Sequence, residues 1–349
     1  MRGERKLEHV NHSLLLFKQK QSSDEHKNIR FIPQELPEKD LSEISLNTKI
    51  AGIELRNYLF LNASTGGTQN TTEMLNNLAK IASDHELAFA VGSQTAMIAE
   101  NTDNYYKAIR KNNPKLKIIA NVPAHLSTEN VKRCVEVLEA DLLQVHLNLA
   151  QEAVMPEGDK NFVGYLKNIN NYVQALNVPV IIKGVGYGIS KETLKKIMDI
   201  AFHAVDIAGN NGVNFVAVEN SRRRNSIKDL DNWGLSTFES LLETKDFLNN
   251  KRDILASGGV YSAVQAVKCL AIGAKAIGII TPILNYLEQK KYKEINQFII
   301  NYLENTKVIM RMLACKNINQ LSGIPLLITG RLYEYSQLRN IDIKKYANR

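Results

Sequence analysis

One stretch of the chain, Leu142–Lys160, concentrates side chains that could do chemistry. It begins with an apolar run typical of a strand and then turns polar. The polar residues, which follow one another closely in sequence, are His146, Asn148, Gln151, Glu152, Glu157 and Asp159. Carboxylates can bind a metal ion or move a proton, and amides and imidazole can orient a substrate by hydrogen bonds. The stretch is therefore either an exposed loop or one wall of an active site.

The carboxylates of this stretch are candidate magnesium ligands. Mg²⁺ takes one or two protein carboxylates and completes its shell with water and substrate phosphates. Glu157 and Asp159 flank Gly158, where a turn or a helix cap is the commoner use of a carboxylate. The sequence therefore favours Glu152 alone as the metal ligand.

Short apolar runs alternate with helical periodicity along most of the chain. The predicted strands lie near 58–62, 88–91, 117–121, 141–146, 178–183, 203–208, 253–257 and 275–280. The predicted helices that follow them lie at 70–84, 102–112, 127–139, 161–176, 190–200, 235–249, 261–272 and 284–313. Eight such units over about 250 residues predict a (β/α)8 TIM barrel, because alternating strands and helices form parallel sheets. A doubly wound open sheet is the alternative, but the GxGxxG signature after its first strand is absent.

The domain organisation follows from this alternation. We expect residues 1–57 to form an N-terminal arm and a connector that pack on the barrel. Residues 58–349 would form the barrel and its C-terminal helices, so that the chain is one domain overall. In the arm, helical spacing over residues 4–17 would bring Arg5, His9 and His12 to one side. That side is either solvated or folded back to deliver cations to an anionic ligand.

A TIM barrel carries its active site at the carboxyl ends of its strands. The predicted strands all end there in glycine, amide, hydroxyl or charged groups. Lys183 ends the fifth strand and would point inward, either as a salt-bridged barrel lysine or as a cation beside an electron-rich ring or a substrate anion. The amides of Asn62, Gln94 and Asn121 can hydrogen-bond the edge of a heterocycle. Ser257-Gly258-Gly259 precedes a helix after the seventh strand, which predicts a phosphate site.

Composition narrows the classes of partner. The chain has 349 residues and a formal net charge of +8, which fits anionic small molecules or a merely basic surface. The basic residues are scattered rather than clustered, which argues against nucleic acid. The three cysteines, Cys134, Cys269 and Cys315, are far apart and predict neither a disulfide framework nor a zinc site. Because no secretory signal or membrane-length apolar run is visible, we expect a cytoplasmic protein without a membrane partner.

Taken together, these motifs resemble the FMN-dependent type 2 isopentenyl diphosphate isomerases. The most specific pieces are QVHLN, QE and VMPEGD, here Gln144–Asn148, Gln151–Glu152 and Val154–Asp159. RKxEH, NAxTGG, VGSQ, PVIxK and ASGG support them, so that the resemblance covers nearly the whole chain. It implies a TIM-barrel flavoprotein that interconverts isopentenyl and dimethylallyl diphosphate by a 1,3-proton shift. It further implies reduced FMN, NADPH as a reductant, Mg²⁺, and a homo-oligomer that is a tetramer or octamer.

The resemblance also implies a role for each matching residue. FMN would be held by Ala63, Ser64, Thr65, Ser93, Asn121, Lys183, Gly258, Gly259 and Gly278. The diphosphate substrate would contact Arg5, Lys6, His9, Ser93, Asn148 and Gln151. Gln151 and His146 would be the catalytic residues, with Gln151 near the alkene as a proton relay or positioning group. Glu152 would bind the magnesium ion that bridges to the diphosphate.

Four positions depart from the family pattern, all at the ligand-facing ends of strands. Thr95 replaces an arginine, Gly184 a glutamate, Val213 a threonine and Tyr261 an arginine. Each loss is worth about 0.5–3 kcal/mol for one contact. The main hypothesis is an active isomerase with rewired contacts, in which Arg222–Arg224 could partly replace the cation lost at position 95. One alternative is a diverged FMN-barrel oxidoreductase, although no His/Arg pair that would bind a substrate carboxylate is evident. The other alternative is an inactive paralogue.

Overall fold

A computed structural model describes residues 11, 12, 14, 15, 17, 24–64, 71–230 and 232–349. Eight parallel strands close into a barrel in chain order, so the (β/α)8 prediction is confirmed. The strands are β1 (Leu59–Leu61), β2 (Ala88–Ala90), β3 (Ile118–Pro123), β4 (Leu142–His146), β5 (Val180–Lys183), β6 (Ala204–Asp206), β7 (Asp253–Ser257) and β8 (Ala276–Ile279). Their residues are almost all buried, as expected for strands covered on both faces.

Helices surround the barrel and fill several of its loops. They are α1 (Thr72–Asp84), α2 (Thr95–Glu100), α3 (Asp103–Asn112), α4 (Thr128–Leu138), α5 (Leu149–Val154), α6 (Tyr165–Ala175), α7 (Lys191–Ile197), α8 (Phe215–Ser221), α9 (Thr237–Leu248), α10 (Ala263–Ile272), α11 (Thr281–Glu288), α12 (Tyr292–Met312), α13 (Gly330–Leu338) and α14 (Lys344–Ala347). Short 3-10 turns lie at Asp24–Asn28, Lys228–Leu230 and Ile318–Gly323. The predicted helix 284–313 is in fact two helices, α11 and α12. The short helices α2, α5 and α8 were not predicted, and each follows a barrel strand at its carboxyl end.

A hairpin closes the amino-terminal end of the barrel. Strands Thr48–Ile50 and Ile53–Leu55 pair antiparallel, and Ile50 and Leu55 join the cluster of side chains inside the barrel. The Ala51 amide donates to Asp253 Oδ2 at 2.7 Å, where β7 begins. Burying each of the two apolar side chains stabilises the fold by about 1.5–3 kcal/mol. The sequence predicted a connector here but no strand within it, because strands of three residues are too short for an alternating pattern to show.

The connector also pairs with the end of the chain. Ile29–Phe31 forms an antiparallel ladder with Leu326–Ile328, so that the segment before the barrel and the segment after it share a small sheet. The three cysteines are buried and free, as expected for small apolar residues in helices and their ends. Among the described residues, no helix combines the length and the apolar character needed to cross a membrane.

Candidate active site

A cavity of about 400 Å³ opens at the carboxyl ends of the barrel strands. This volume is in the range of small-molecule and cofactor sites. Every strand contributes to its wall through residues near its carboxyl end or in the loop that follows, including Asn62, Ser93, Asn121, His146, Lys183, Ala208, Ser257 and Gly278. Leu142–Lys160 therefore forms one wall of a cavity and is not a purely exposed loop.

The structure brings the predicted site residues together. The lining includes each described member of the predicted set: Ala63, Ser64, Ser93, Asn121, His146, Asn148, Gln151, Glu152, Lys183, Gly258, Gly259 and Gly278. Arg5, Lys6, His9 and Thr65 lie outside the described residues. The expectation that the Gln94 amide faces a ligand is not met. Gln94 is fully buried and does not line the cavity. Its Oε1 accepts from the Asn121 backbone N–H at 3.1 Å, and its Nε2 donates to the Cys134 carbonyl at 3.0 Å. The Gln94 side-chain amide therefore bonds to backbone groups of the protein and not to a ligand.

A fully buried carboxylate that the sequence did not single out lies beneath the cavity. Asp206 ends β6, and its Oδ2 accepts from Asn62 Nδ2 at 2.9 Å and from Lys183 Nζ at 3.2 Å. Its Oδ1 accepts from Ser257 Oγ at 2.5 Å. The signal that could have found it is a single aspartate inside an otherwise apolar, parallel strand, since a buried charge is rarely found without a partner.

His146 is held as a neutral ring. Its Nδ1 lies 2.8 Å from Asn121 Oδ1, while Asn121 Nδ2 donates to Gln144 Oε1 at 3.1 Å. An amide oxygen only accepts, so Nδ1 carries the proton and Nε2 is left as an acceptor. Burial, and secondarily the Lys183 charge, lower the pKa of His146 to about 3. His146 therefore offers the cavity an acceptor rather than a cation.

The ring of His146 should stay neutral well into the acid range. The unfolded chain takes up a proton near pH 6.5, whereas the native ring does so only near 3. The contribution of His146 to stability is therefore present above pH 6.5 and is lost as the pH falls towards 3. Nitrogen chemical shifts of ¹⁵N-histidine protein, with the signal assigned by its loss in His146→Asn, should show Nδ1 protonated and Nε2 bare at pH 5. Titration with a midpoint near 6.5 would contradict the assignment.

Gln151 is positioned by a second buried carboxylate. The helices α5 and α8 pack together, and Gln151 Nε2 donates to Glu219 Oε1 at 2.8 Å. Glu219 is fully buried, and its Oε2 accepts from Arg222 Nη1 at 2.5 Å. Arg222 Nη2 also donates to Glu157 Oε1 at 3.0 Å. The Gln151 amide is thereby oriented, with its own oxygen as the remaining acceptor.

The contacts of the arginines after α8 test whether they could partly replace the cation that is lost at position 95. Arg222 is committed to Glu219 and Glu157, and Arg223 Nη1 donates to the Val154 carbonyl at 2.9 Å. None of Arg222, Arg223 and Arg224 is among the described residues that line the cavity, where Lys183 is the only lysine or arginine. The described geometry therefore gives no support to the hypothesis that Arg222–Arg224 replace that cation.

Glu152 lines the cavity, and both of its oxygens are oriented by hydrogen bonds. Its Oε1 accepts from Asn148 Nδ2 at 2.7 Å, and its Oε2 accepts from the Asp159 amide at 2.9 Å. The described residues contain no group of three or more His, Cys, Asp or Glu side chains able to hold a metal by themselves. A metal ion at Glu152 would therefore depend on oxygen ligands from water and from a bound phosphate.

The four departures have separate structural consequences. Thr95 and Val213 line the cavity, and Thr95 Oγ1 lies 3.0 Å from Ser93 Oγ. At Gly184 a Cβ would come within 2.9 Å of the Ile207 carbonyl oxygen, so a larger residue needs a backbone shift. Tyr261 lines the cavity, and its hydroxyl hydrogen-bonds the Thr281 side chain. Its ring packs edge to face against Phe17 of the N-terminal arm, with centroids 5.3 Å apart.

The loop after β7 is compressed against the loop after β6. Gly258 and Gly259 have φ of +92° and +79°, a region that favours glycine. A Cβ on Gly258 would lie 2.1 Å from the Gly209 carbonyl oxygen, and one on Gly259 would lie 2.4 Å from the Asn211 carbonyl. Gly258 and Gly259 line this end of the cavity, and α10 begins four residues later, an arrangement that suits a phosphate.

Comparison with known proteins defines the class. The family model for FMN-dependent dehydrogenase matches residues 121–324, so the chain belongs to this family. A flavocytochrome b2 with sulfite bound has the same fold, with a TM-score of 0.67 and 17% identity over 89% of this chain and 79% of that one. Mandelate oxidase matches with a TM-score of 0.63 and 14% identity over 90% of each chain.

Full-length relatives define the family more narrowly. The isopentenyl-diphosphate delta-isomerase of Bacillus licheniformis is 37% identical over 100% of this chain and 99% of its own length. That of Staphylococcus epidermidis is 38% identical over 99% of this chain and 98% of its own length. The chain belongs to the isopentenyl-diphosphate delta-isomerase family, and the resemblance found in the sequence is confirmed.

Proposed function

We propose that the protein interconverts isopentenyl diphosphate and dimethylallyl diphosphate, using reduced FMN and Mg²⁺. The observation that carries the proposal is the wall formed by Leu142–Lys160, where Gln151 and Glu152 sit side by side on α5. Gln151 is fixed by buried Glu219, and both oxygens of Glu152 are oriented, one by the Asn148 side chain and one by the Asp159 backbone N–H. This wall carries the motif most specific to the family, and none of the four departures falls in it.

The residues of the cavity fit FMN. The Gly258-Gly259 backbone and the start of α10 suit its phosphate, and Ser93, Asn121 and Lys183 supply polar groups for its ring. Lys183 Nζ donates to Asp206 and to the Gly184 carbonyl, so one ammonium hydrogen has no partner among the described residues. That hydrogen is available to an electron-rich ring, as expected for a cofactor that the protein orients and tunes.

The reaction removes a proton from one carbon of the substrate and adds one two carbons away, with no net redox change. Protonating an unactivated alkene needs a stronger acid than any side chain that titrates near neutral pH. Reduced FMN supplies this acid-base chemistry when bound. Gln151, held by Glu219, would lie beside the alkene end, and the neutral His146 ring offers a hydrogen-bond acceptor on the same wall. Apolar neighbours such as Val213, Phe215 and Leu284 keep the hydrocarbon part away from water.

The N-terminal arm would cover the diphosphate with Arg5, Lys6 and His9. The described part of the arm supports this placement, because two of its residues contact the rim. His12 Nδ1 lies 3.1 Å from Ser221 Oγ at the end of α8, and Phe17 packs on Tyr261. NADPH as the reductant, a tetrameric or octameric assembly and a cytoplasmic location belong to the same proposal and rest on the family resemblance.

One assay tests the proposal directly. Protein loaded with FMN and reduced under anaerobic conditions is mixed with Mg²⁺ and isopentenyl diphosphate, and the products are followed by NMR. We expect dimethylallyl diphosphate to accumulate, and little product when Mg²⁺ is chelated or FMN is oxidised. FMN-loaded protein that forms no dimethylallyl diphosphate would refute the isomerase and favour an oxidoreductase. Protein that binds no FMN would indicate an inactive paralogue.

Glu152→Gln should raise the Mg²⁺ requirement. The substitution removes the negative charge but keeps one oxygen, and Mg²⁺ prefers charged oxygen ligands. We expect the Mg²⁺ concentration for half-maximal rate to rise by at least about tenfold, the effect of about 1.4 kcal/mol, with unchanged FMN binding. Glu157→Gln is the matched control, because Glu157 is engaged by Arg222. An equal shift in both variants would argue against Glu152 as the metal ligand.

A further inference from the structure

We infer that Asp206 is a positioning residue, a buried counter-ion that holds Lys183 in the cavity floor and sets the reduction potential of the bound flavin. The inference rests on the proposed function, because it requires FMN in the cavity. Asp206 itself does not line the cavity, so it acts through the residues bonded to it.

The geometry concentrates donors from several strands on this one carboxylate. Lys183 and Asp206 are direct neighbours across the β5–β6 ladder, and their ion pair is 3.2 Å long. Asn62, directly after β1, and Ser257, at the end of β7, also donate to the two oxygens. Gln144 Nε2 lies 3.5 Å from the same Oδ2, at the limit of a hydrogen bond. Asp206 is fully buried and Lys183 is 7% exposed, so solvent screens this pair very little.

The electrostatic consequence follows from the balance of charge in the floor. Lys183 is the only lysine or arginine among the described lining residues, and Asp206 is the carboxylate bonded to it. The pair is neutral as a unit. Without Asp206 the floor would carry one uncompensated positive charge in a medium of low dielectric constant, where a charge acts over a longer range than in water.

An uncompensated cation would favour the electron-rich form of the cofactor. Reduction of FMN takes up two electrons and two protons to give the neutral reduced form, or two electrons and one proton to give its anion. Both forms are richer in electrons than oxidised FMN, and the anion also gains charge attraction. Asp206 therefore holds the potential lower, and the reduced flavin more basic, than Lys183 alone would. Glu152, Glu157 and Asp159 also line the cavity and add to its negative side.

A purely structural role is the competing explanation. Asp206 links strands on both sides of the barrel, and its loss could simply loosen the fold. Two measurements separate the structural role from the electrostatic role. Loosening the fold lowers the unfolding temperature but has no defined effect on the reduction potential of the bound flavin. Glu243 offers a matched control. It is 1% exposed and accepts from Arg339 Nε at 2.5 Å, away from the cavity lining.

The test compares midpoint potentials, measured by reductive titration with dithionite against a reference dye at saturating FMN. Asp206→Asn should shift the potential to more positive values, with the ratio of reduced to oxidised FMN affinity at least tenfold higher, which is about 30 mV for a two-electron couple. Asp206→Glu, which keeps the charge, should shift it less. Glu243→Gln should lower stability and leave the potential at the wild-type value. An unchanged potential in Asp206→Asn would overturn the inference.

A second comparison covers the case in which Asp206→Asn does not fold. Lys183→Met should have a lower potential than wild type, and the double variant Lys183→Met/Asp206→Asn, which removes both charges, should return towards wild type. Coincident potentials for the double variant and Lys183→Met would overturn the inference. Wild-type protein that isomerises its substrate while these potentials do not move would refute the role of Asp206 alone. Wild-type protein without FMN would refute the proposed function itself.

Discussion

Gly258→Ala is expected to abolish retention of FMN through gel filtration. The new Cβ would meet the Gly209 carbonyl oxygen at 2.1 Å, far inside contact distance, and the residue would also have to adopt φ near +92°. The backbone strain alone costs about 1–3 kcal/mol. The clash adds to this by forcing the loop after β7, which is expected to hold the phosphate, away from the loop after β6. The measurements are FMN content by absorbance and the dissociation constant by fluorescence quenching.

Gly52→Ala isolates the strain from the clash. Gly52 has φ of +89°, nearly the same conformation, but an added Cβ there meets no atom within 4 Å. It sits in the hairpin at the opposite end of the barrel. This variant should lose some thermal stability and keep wild-type FMN affinity. If both variants lost FMN equally, the Gly258 loop would not be a specific phosphate cradle.

Gln151→Ala is expected to lower kcat on the order of 10²-fold or more, the scale of a well-placed proton-transfer or positioning group. The substitution removes the amide that Glu219 orients at 2.8 Å, and it leaves the predicted FMN contacts in place. FMN affinity should therefore change much less than turnover. Steady-state isomerisation rates and FMN binding, measured on the same preparation, separate the two effects.

Leu149→Ala is the control for damage to the helix. Leu149 lies on the same helix α5 and is 59% exposed, so its truncation should leave both turnover and FMN affinity near wild type. Equal losses of turnover and FMN binding in Gln151→Ala would show that the residue holds the site together and does not act on the substrate.

Much of this site could be predicted from the chain alone. The eight-fold alternation sets the barrel, and the barrel dictates that residues near the carboxyl ends of the strands, such as Asn121, His146 and Lys183, meet at one end. The prediction therefore needed only the period of the pattern and the position of each strand end. It did not need any side-chain contact, and for that reason it held for the described residues of the lining.

The contacts between these residues could not be predicted in the same way. Gln151 hydrogen-bonds Glu219, which lies 68 residues later in the sequence, and the two residues are on helices of six and seven residues. Helices of that length show less than two turns of periodicity, so no pattern marks them. Asp206 gave a signal, a charge within an apolar strand, but its partners come from other strands. Gln94 looked like a ligand for a heterocycle because sequence does not tell which way a residue beyond a strand end turns.

The small sheet between Ile29–Phe31 and Leu326–Ile328 sets an effective concentration for the arm. The segment between Phe17 and Ile29 can span at most about 40 Å when fully extended. His12 and Phe17, two described residues of the arm, are thus kept within reach of the cavity, as by a short tether in a bivalent ligand. If Arg5, Lys6 and His9 bind the diphosphate as proposed, the affinity for diphosphate depends on a ladder that contains none of these residues. Loss of the last strand would weaken substrate binding by dilution of the arm, with every residue of the cavity intact.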